Sequence, residues 1–188
     1  MDILELDIPG VVVLTPKRHG DDRGFLSETY SAAVVREATG AEVFAQDNHS
    51  YSARKGTIRG LHYQAPPHAQ GKLVRCARGA VRDVVVDARR GSPTYGRHVS
   101  YDLTAENWAQ IWAPEGCLHG FATLTDDVDV LYKVTRGYDR ASEGAIHWAD
   151  ESLAIDWGVA PDEAIVSDKD KSAPAFADFV SPFTYSAS

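Results

Sequence analysis

The segment TIRGLHYQAPPHAQGKLVRC, residues 57–76, brings an imidazole, a guanidinium and an ammonium close together along the chain. A histidine can remove a proton next to a carbonyl group when a fixed cation stabilises the resulting enolate. His62 offers the base and Lys72 offers the cation. Inversion of a carbon also needs an acid on the opposite face, and Tyr132 in the β-rich run VLYKVT is a candidate. These residue types predict metal-free acid–base chemistry.

Two further positions supply carboxylates for such a site. A histidine base is commonly aligned by a carboxylate on its other ring nitrogen, and the segment SDKD offers Asp168 or Asp170 without choosing between them. Asp83 alternates with valines in VRDVVVDA. Because an unpaired buried charge is costly, Asp83 is either an exposed strand residue or part of a polar interior that forms a site.

A metal site is the competing interpretation of the histidines. PEGCLHGF has the form P-x-G-x-x-H, and His119 in it, together with His62, resembles the two histidine motifs of the cupin barrels. A transition-metal site needs three or four suitable ligands. Gln64 stands where a second histidine is expected in a metal-binding cupin. The segment between Gln64 and Lys72 contains no glutamate, and the ammonium of Lys72 would repel a dication. We therefore expect no metal ligand, and a metal-dependent cupin enzyme remains an alternative.

Short β-rich runs bounded by turn residues must position these side chains. Runs 72–77 and 81–88 flank an Arg-Gly pair and predict a hairpin, and further strands are predicted over 97–103, 108–114 and 128–135. Strands at this spacing with little helix between them are typical of an antiparallel sandwich or barrel.

Helix is predicted in only a few places. The segment 31–40 has Ser31 as a possible N-cap and Gly40 as a stop signal. A short helix or turn is expected near 150–156, and the tail from about residue 167 should be loop with some helix. No repeat or linker divides the 188 residues, so a single domain, 1–188, is expected.

Composition narrows the classes of partner and location. Nineteen basic and 27 acidic side chains give a formal charge of −8, which argues against nucleic-acid binding but allows a small anionic ligand held by a few local cations. Cys76 and Cys117 lie in apolar runs and are expected to be buried thiols. The sequence has no pattern of a secretory signal or a membrane helix, so a soluble, cytoplasmic protein is expected.

Several motifs in the same order carry a resemblance to a known family. RGLHYQ, QGKLVRC, DVVVDARRGSPTYG, PEGCLHGF, LYKVT and SDKD, preceded by DDRGFLSE and QDNHS, resemble the dTDP-4-dehydrorhamnose 3,5-epimerase family, the RmlC-like cupins. The resemblance runs from about residue 5 to about residue 175. It implies a cupin-type antiparallel β-barrel, or jelly roll, with a few short helices. It also implies cofactor-free inversion of C3 and C5 in dTDP-4-keto-6-deoxy-D-glucose, giving dTDP-4-keto-L-rhamnose.

The resemblance assigns roles residue by residue. His62 would abstract the proton, Asp170 would orient it, Tyr132 would donate a proton, and Lys72 would hold the C4 oxygen. The residues implied in substrate binding are Arg23, Phe25, Glu28, Gln46, Asn48, Arg59, His119, Tyr138, Glu143 and Lys169. Among these, Arg59 suits the phosphates because its planar fork makes paired hydrogen bonds, and Tyr138 would lie near the sugar. A homodimer is implied, whose N-terminal segment contributes to the neighbouring site.

Individually, several of these residues suit ordinary structural roles. Phe25 and Trp148, the two candidates for stacking on the base, and also Tyr132 would more often pack in a core. Glu28 alone suggests a solvated side chain. Three histidines match no role and are expected to be surface or structural residues: His49, His68 and His147.

One departure from the family pattern leaves the reaction open. Where many relatives carry two consecutive aromatic residues, YKVTRGY has Gly137 before Tyr138. The lost bulk beside the sugar pocket would suit an enzyme that inverts only C3 or only C5 in an antibiotic deoxysugar pathway. A non-catalytic module that binds sugar nucleotides is a further alternative. The sequence does not choose between cell-wall rhamnose and a secondary metabolite.

Overall fold

A computed structural model describes residues 1–186, and its strands alternate with only two short α-helices in that range. The strands, in chain order, are β1 (Asp2–Glu5), β2 (Val12–Thr15), β3 (His19–Asp21), β4 (Gly24–Leu26), β5 (Gln46–Ser52), β6 (Thr57–Gln64), β7 (Lys72–Arg78), β8 (Ala80–Asp87), β9 (His98–Thr104), β10 (Gln110–Ala113), β11 (Cys117–Thr123), β12 (Val128–Val134), β13 (Glu143–Ala145) and β14 (Ile165–Val166). The helices are α1 (Ala32–Thr39) and α2 (Asp168–Lys171), with a 3-10 turn at Phe176–Asp178. The predicted all-β class is confirmed.

Two sheets pack face to face. The first has the order β1-β2-β10-β7-β12-β5, and the second has the order β13-β6-β11-β8-β9, with β14 parallel to β6. Val74 and Val130 of the first sheet meet Val85 and Phe121 of the second in a buried core. All pairings inside the two sheets are antiparallel except β14 with β6 among the described residues, so the molecule is an antiparallel sandwich.

The predicted hairpin between β7 and β8 is wrong, because the two strands belong to different sheets. β7 pairs with β10 and β12, whereas β8 pairs with β11 and β9. Gly79 turns the corner with a φ of +75°, and a Cβ there would lie 2.6 Å from Thr125 Oγ1. Both strands direct apolar side chains, such as Val74 and Val85, into the interlayer core. Crossing between the sheets buries those side chains from opposite sides.

Both faces of β8 are buried, which explains its mixed pattern. Val81, Asp83 and Val85 alternate toward the interlayer space, while Val84 and Val86 pack in a second cluster on the outer side of the sheet. The C-terminal segment covers that outer side and contributes Phe183. Of the two positions considered for Asp83, the strand therefore gives it the one in the polar interior.

The predicted helix over 31–40 is confirmed as α1. Ser31 precedes it without a side-chain cap bond, and Gly40 ends it in the left-handed region, with a φ of +73°. Val35 packs against Leu14 and Trp112 on the outer face of the first sheet. Residues 151–154 form turns, and the tail contains α2 and the 3-10 turn, as expected. Within residues 1–186, no helix is long and apolar enough to cross a bilayer.

Candidate active site

A cavity of about 470 Å³ lies between the two sheets and collects side chains from both of them. His62 reaches it from β6 and His119 from β11, while Lys72 and Tyr132 reach it from β7 and β12. A smaller cavity of about 210 Å³ shares His62, Lys72 and Tyr132 with the first. The two spaces therefore meet at the residues with the strongest acid–base character, and we call them the larger and the smaller lobe of the site.

His62 is bonded to Asp170, the carboxylate that the family resemblance implied, whereas the residue types alone had left Asp168 and Asp170 open. His62 Nε2 lies 2.6 Å from Asp170 Oδ1, and the Asp170 carboxylate is almost fully buried. Asp168 is fully exposed. Ser167 caps α2 by accepting the Asp170 backbone N–H, which fixes the start of the helix. If Nε2 donates to Asp170, then Nδ1 is the ring nitrogen that can accept a proton.

The pKa of Asp170 favours its role as an ionised partner. Burial opposes ionisation, but the hydrogen bond from His62 and the bonds from Ser167 and the Gly60 backbone outweigh it. The pKa of Asp170 consequently lies below its ordinary value of 3.8. An ionised carboxylate at this position stabilises a histidine that has just gained a proton.

A second histidine–carboxylate pair joins β11 and β8, and its histidine lines the larger lobe. His119 Nε2 lies 3.0 and 2.9 Å from the two carboxylate oxygens of Asp83, and both side chains are buried. Burial raises the pKa of Asp83, although the charges of His119 and Lys72 act in the opposite direction. The structure thus pairs Asp83 inside the sandwich, which the sequence had left as one of two possibilities.

Lys72 retains some exposure because it lines both lobes, yet the protein around it desolvates its ammonium. Burial lowers the pKa of Lys72 to about 8, while Asp83 and Glu143 oppose the shift. A lysine with this pKa is still mostly protonated at neutral pH. It can therefore stabilise an oxyanion that forms in the cavity.

Tyr132 faces the same space as His62 from the other sheet. Burial raises the pKa of the Tyr132 phenol, and the nearby charge of Arg59 only partly opposes this. A raised pKa keeps the phenol protonated, which is the state that a proton donor needs. Tyr132 also packs against the interlayer core, so its packing role and its place in the cavity coexist.

A chain of polar contacts lies along the lobes. The Tyr138 hydroxyl donates to Glu143 Oε2 at 3.1 Å, and Lys169 Nζ lies 2.6 Å from Glu143 Oε1. The hydrogen bond from Lys169 is the main reason that the pKa of Glu143 is lowered. Lys169 lines the larger lobe, and Tyr138 and Glu143 line the smaller one.

Three more of the predicted substrate-binding residues line the two lobes: Gln46, Asn48 and Arg59. Gln46 and Asn48 line the smaller lobe, and Gln46 Nε2 donates to Asn48 Oδ1 at 2.7 Å. Arg59 lines the larger lobe and donates to the Tyr51 carbonyl at 3.2 Å. Arg59, Lys72 and Lys169 give the larger lobe a positive character in an otherwise acidic protein.

Three predicted residues are not brought to this cavity. Arg23 and Phe25 lie on the separate hairpin of β3 and β4, and Glu28 follows it. The Arg23 side chain is 89% exposed and pairs with Asp21, while Phe25 is 55% exposed and meets Trp108 edge-on at 5.0 Å. None of the three lines either lobe of their own chain.

The two stacking candidates differ from each other. Phe25 is exposed, so the expectation that it packs in a core is wrong. Trp148 is partly buried against the outer cluster of the second sheet and accepts the Trp157 indole N–H on its carbonyl. His49 and His68 are exposed, and His147 stacks on Trp148. These three histidines are surface or structural residues, as predicted.

Ser50 is a cavity residue that the sequence did not single out. Its hydroxyl is buried and, within residues 1–186, has no hydrogen-bond partner, and the residue lines the larger lobe. A lone serine on a strand carries no distinctive signal. The only available clue was its alternation with Asn48 along β5, which places both side chains on one face.

Metal binding is not supported by the donor geometry. In the described part of the chain, no group of three or more His, Cys, Asp or Glu side chains is arranged to hold a metal ion. His62 and His119 each use Nε2 on a carboxylate instead. The thiols of Cys76 and Cys117 are buried, and burial raises the pKa of each.

The sandwich encloses a cavity lined by the His62–Asp170 pair, Tyr132 and Lys72, an arrangement that suits the acid–base chemistry of a cupin-type carbohydrate epimerase. The sequence profile described as dTDP-4-dehydrorhamnose 3,5-epimerase matches residues 5–178. The dTDP-4-dehydrorhamnose 3,5-epimerase of Shigella flexneri is 47% identical over 179 residues, which cover 95% of this chain and 97% of that protein. The chain belongs to the dTDP-4-dehydrorhamnose 3,5-epimerase family, and it is an isomerase.

Two solved structures extend the comparison. The dTDP-6-deoxy-D-glucose-3,5-epimerase RmlC of Legionella pneumophila, in complex with dTDP-4-keto-L-rhamnose, has a TM-score of 0.93 and 41% identity, covering 99% of each chain. A 3'-monoepimerase from Streptomyces bikiniensis, in complex with dTDP-quinovose, has a TM-score of 0.84 and 37% identity, covering 92% of this chain and 86% of that one. The predicted cupin-type fold is confirmed by these similarities.

Proposed function

We propose that this protein inverts C3 and C5 of dTDP-4-keto-6-deoxy-D-glucose to give dTDP-4-keto-L-rhamnose. The observation that carries the proposal is that His62 and Tyr132 line the same cavity from opposite sheets. A base on one side of the sugar and an acid on the other let a proton leave and return on opposite faces. The bound product in the Legionella pneumophila relative is consistent with this substrate class.

His62 begins each inversion by taking a proton from the carbon next to the C4 ketone. The C–H electron pair moves into the bond toward C4, and the C4 oxygen becomes an enolate that the Lys72 ammonium stabilises. Asp170 holds His62 in place and stabilises its protonated form. Tyr132 then gives a proton to the opposite face of the same carbon, as the enolate electron pair returns to that carbon and the C4 carbonyl reforms. His62 releases its proton to solvent and Tyr132 takes a proton from solvent before the second carbon reacts.

Binding of the nucleotide diphosphate uses the positive side of the cavity. Arg59 binds the phosphates, since charged donors bind phosphate oxygens strongly, and His119 is a further substrate contact. Tyr138 contacts the substrate at the smaller lobe. The other substrate contacts in the proposal come from Gln46, Asn48, Glu143 and Lys169 of the same chain.

A second subunit supplies the remaining contacts in this proposal. Arg23, Phe25 and Glu28 lie away from their own cavity on an exposed hairpin. In a homodimer this hairpin reaches the neighbouring site, where Phe25 offers a face for the thymine base and Arg23 offers a cation. The exposed apolar side chain of Leu26 beside Phe25 would then be covered as well.

Inversion of a single carbon is the second candidate, and Gly137 is the observation that favours it. A Cβ at Gly137 would meet only Gln46 Oε1, at 3.9 Å, so the loop leaves open space where relatives carry an aromatic ring. The resemblance to a 3'-monoepimerase shows that such an outcome occurs on this fold. Identity to several double epimerases is higher, at 47% for the Shigella flexneri protein and 41% for the Legionella pneumophila protein, so inversion at two carbons is the primary proposal.

Proton NMR in D2O with the 4-keto sugar nucleotide tests the proposal. We expect deuterium at both C3 and C5 with the wild-type protein, and a loss of exchange of roughly 10²–10⁴-fold in His62→Ala. Deuterium at one carbon supports the single inversion. Tight dTDP binding without any exchange points to a binding module, and turnover that depends on a stoichiometric metal in elemental analysis points to a metal enzyme. Exchange at the wild-type rate in His62→Ala removes His62 from its role.

A further inference from the structure

Three glutamine side chains converge on the backbone of residues 136–139, the loop that carries Tyr138. Gln46 Oε1 accepts the Tyr138 N–H at 3.0 Å, and Gln64 Oε1 accepts the Asp139 N–H at 2.8 Å. Gln70 Nε2 donates to the Arg136 carbonyl at 2.6 Å. Gln64 and Gln70 both donate to the Gly137 carbonyl at 3.3 Å. Side-chain amides therefore bond four consecutive residues of this loop, which we call the 136–139 loop.

This loop lies beyond the end of β12, so it has no strand partner in the sheet ladder. A loop without ladder hydrogen bonds opens locally at little cost unless other contacts hold it. The glutamine amides supply those contacts. Gly137 adds to the need for them, because a residue without a side chain contributes no packing and leaves the backbone freer.

The glutamines tie the loop directly to the catalytic strands. Gln64 follows His62 by two positions on β6, and Gln70 precedes Lys72 by two positions. Gln64 is buried, and its amide uses both ends, since Nε2 also donates to the His68 carbonyl at 2.7 Å. At the position where a metal-binding cupin would have a second histidine, this chain thus places a fully bonded amide that holds a loop.

Resting on the proposed function, we propose that Gln64 and Gln70 are positioning residues that act through the 136–139 loop to hold Tyr138 at the smaller lobe. Both glutamines also line the smaller lobe, but positioning of the loop does not require either of them to touch the substrate. Their effect is on the wall of the cavity, where Tyr138 and Glu143 meet. Loss of one of these glutamine hydrogen bonds leaves the chemistry of His62, Lys72 and Tyr132 in place, so it weakens substrate binding more than it slows the proton transfers.

Gln70→Ala is the first test, because this partly exposed residue can be changed with little risk to folding. We expect KM for the dTDP-sugar to rise roughly five- to tenfold while kcat changes less than about twofold. Asn107→Ala is the matched control. The Asn107 amide also donates to a backbone carbonyl, that of Asp102 at 2.7 Å, in a turn that lines neither lobe. KM should stay at the wild-type value in the control.

A double-mutant cycle separates action through Tyr138 from a general loss of structure. If the glutamine acts by placing the ring, Gln70→Ala should add almost nothing in a Tyr138→Ala background, because the group it positions is gone. A penalty of the same size in both backgrounds would overturn the inference. A Gln70→Ala protein with the wild-type KM would overturn it as well.

Hydrogen exchange gives a readout that does not depend on turnover. The Asp139 N–H is bonded to Gln64 Oε1, so Gln64→Met should raise its exchange rate roughly tenfold or more while the β6–β11 amides stay protected. Unchanged protection of the Asp139 N–H in a folded Gln64→Met protein contradicts the proposal that Gln64 holds the loop. Absence of epimerase activity in the wild-type protein would end the proposed function alone, since the exchange measurement would still report on the loop.

Discussion

At the scale of single residues, Lys72 should set the alkaline limit of activity. Burial lowers the pKa of its ammonium to about 8, and only the protonated form stabilises the enolate. We therefore expect kcat/KM, which reports on the free enzyme, to fall about tenfold per pH unit above that pKa. Rates measured from about pH 6 to pH 10 define this limb.

Lys72→Arg is the matching variant, since its guanidinium stays charged throughout this range. The rate at neutral pH should fall because the fork does not reproduce the position of the ammonium, but the limb near pH 8 should disappear. A limb that stays at the same pH in Lys72→Arg assigns the titration to another group. Lys72→Met should lose the stabilisation of the enolate at every pH.

Asp170→Asn should reduce kcat by about 10²-fold or more, because the amide no longer stabilises the charged imidazole. Its neighbour offers a matched control, since Asp168 lies on the same short helix and is fully exposed. Deuterium wash-in should be close to normal in Asp168→Asn. Equal losses in the two variants would mean that the effect comes from the charge or stability of α2 and not from the His62–Asp170 bond.

Residue chemistry explains how much of the site could be predicted. His62, Lys72 and Tyr132 were recognisable because each is a residue type with acid–base chemistry and stands in a specific motif. Residue types alone could not choose between Asp168 and Asp170; the family resemblance chose Asp170, and the direction in which each side chain of α2 points gives the physical reason. Ser50 was missed because a hydroxyl on a strand carries no such signal, and its significance comes only from its burial beside the cavity.

At the scale of strands, the close contact between β6 and β11 positions His62 and His119 side by side. A Cβ at Gly120 would lie 2.9 Å from the Arg59 carbonyl oxygen and 3.0 Å from Gly60 Cα. The register shifts at this point, between His119 and Phe121. The two backbones can approach this closely only because neither glycine has a side chain.

Gly120→Ala should therefore destabilise the protein by about 1–3 kcal/mol, the usual cost of overpacking, and should also lower kcat by moving His62 relative to Asp170. Urea unfolding and single-turnover exchange measure the two effects. Gly20→Ala is a suitable control for stability, because a Cβ there would lie 3.5 Å from its nearest neighbour, an ordinary contact. Stability equal to that of the wild-type protein in Gly120→Ala would contradict the close packing.

Strand pairing shows why the fold was only partly predictable. The runs that form β7 to β10 and β12 were identified from local β-rich composition and turns, and most of their bounds agree with the structure. The pairing was predicted wrongly for β7 and β8, since nearness in sequence favours a hairpin. Val74 and Val85 lie on strands whose true partners are distant, β12 and β11 among them. The packing of the whole core determines which sheet each strand joins and which of its faces is buried.

At the scale of the whole molecule, the predicted residues that line the cavity of their own chain all lie between β5 and α2 in the sequence. Strands of both sheets bring those residues together, but the β3–β4 hairpin carries Arg23 and Phe25 away from them. The family resemblance implied this separation, but composition and spacing do not show it, because it depends on where the hairpin leaves the sandwich. A site shared between two copies is the arrangement that uses all of the predicted residues.

Subunit mixing tests that arrangement with two variants that are each impaired. Arg23→Ala and His62→Ala chains carrying different tags are co-expressed, and the hybrid dimer is purified. If Arg23 serves the neighbouring site, one of the two sites in the hybrid holds both His62 and Arg23, and about half of the wild-type activity returns. If Arg23 serves its own chain, each site lacks one residue and the hybrid stays as impaired as its parents. A protein that sediments only as a monomer would exclude the shared site outright.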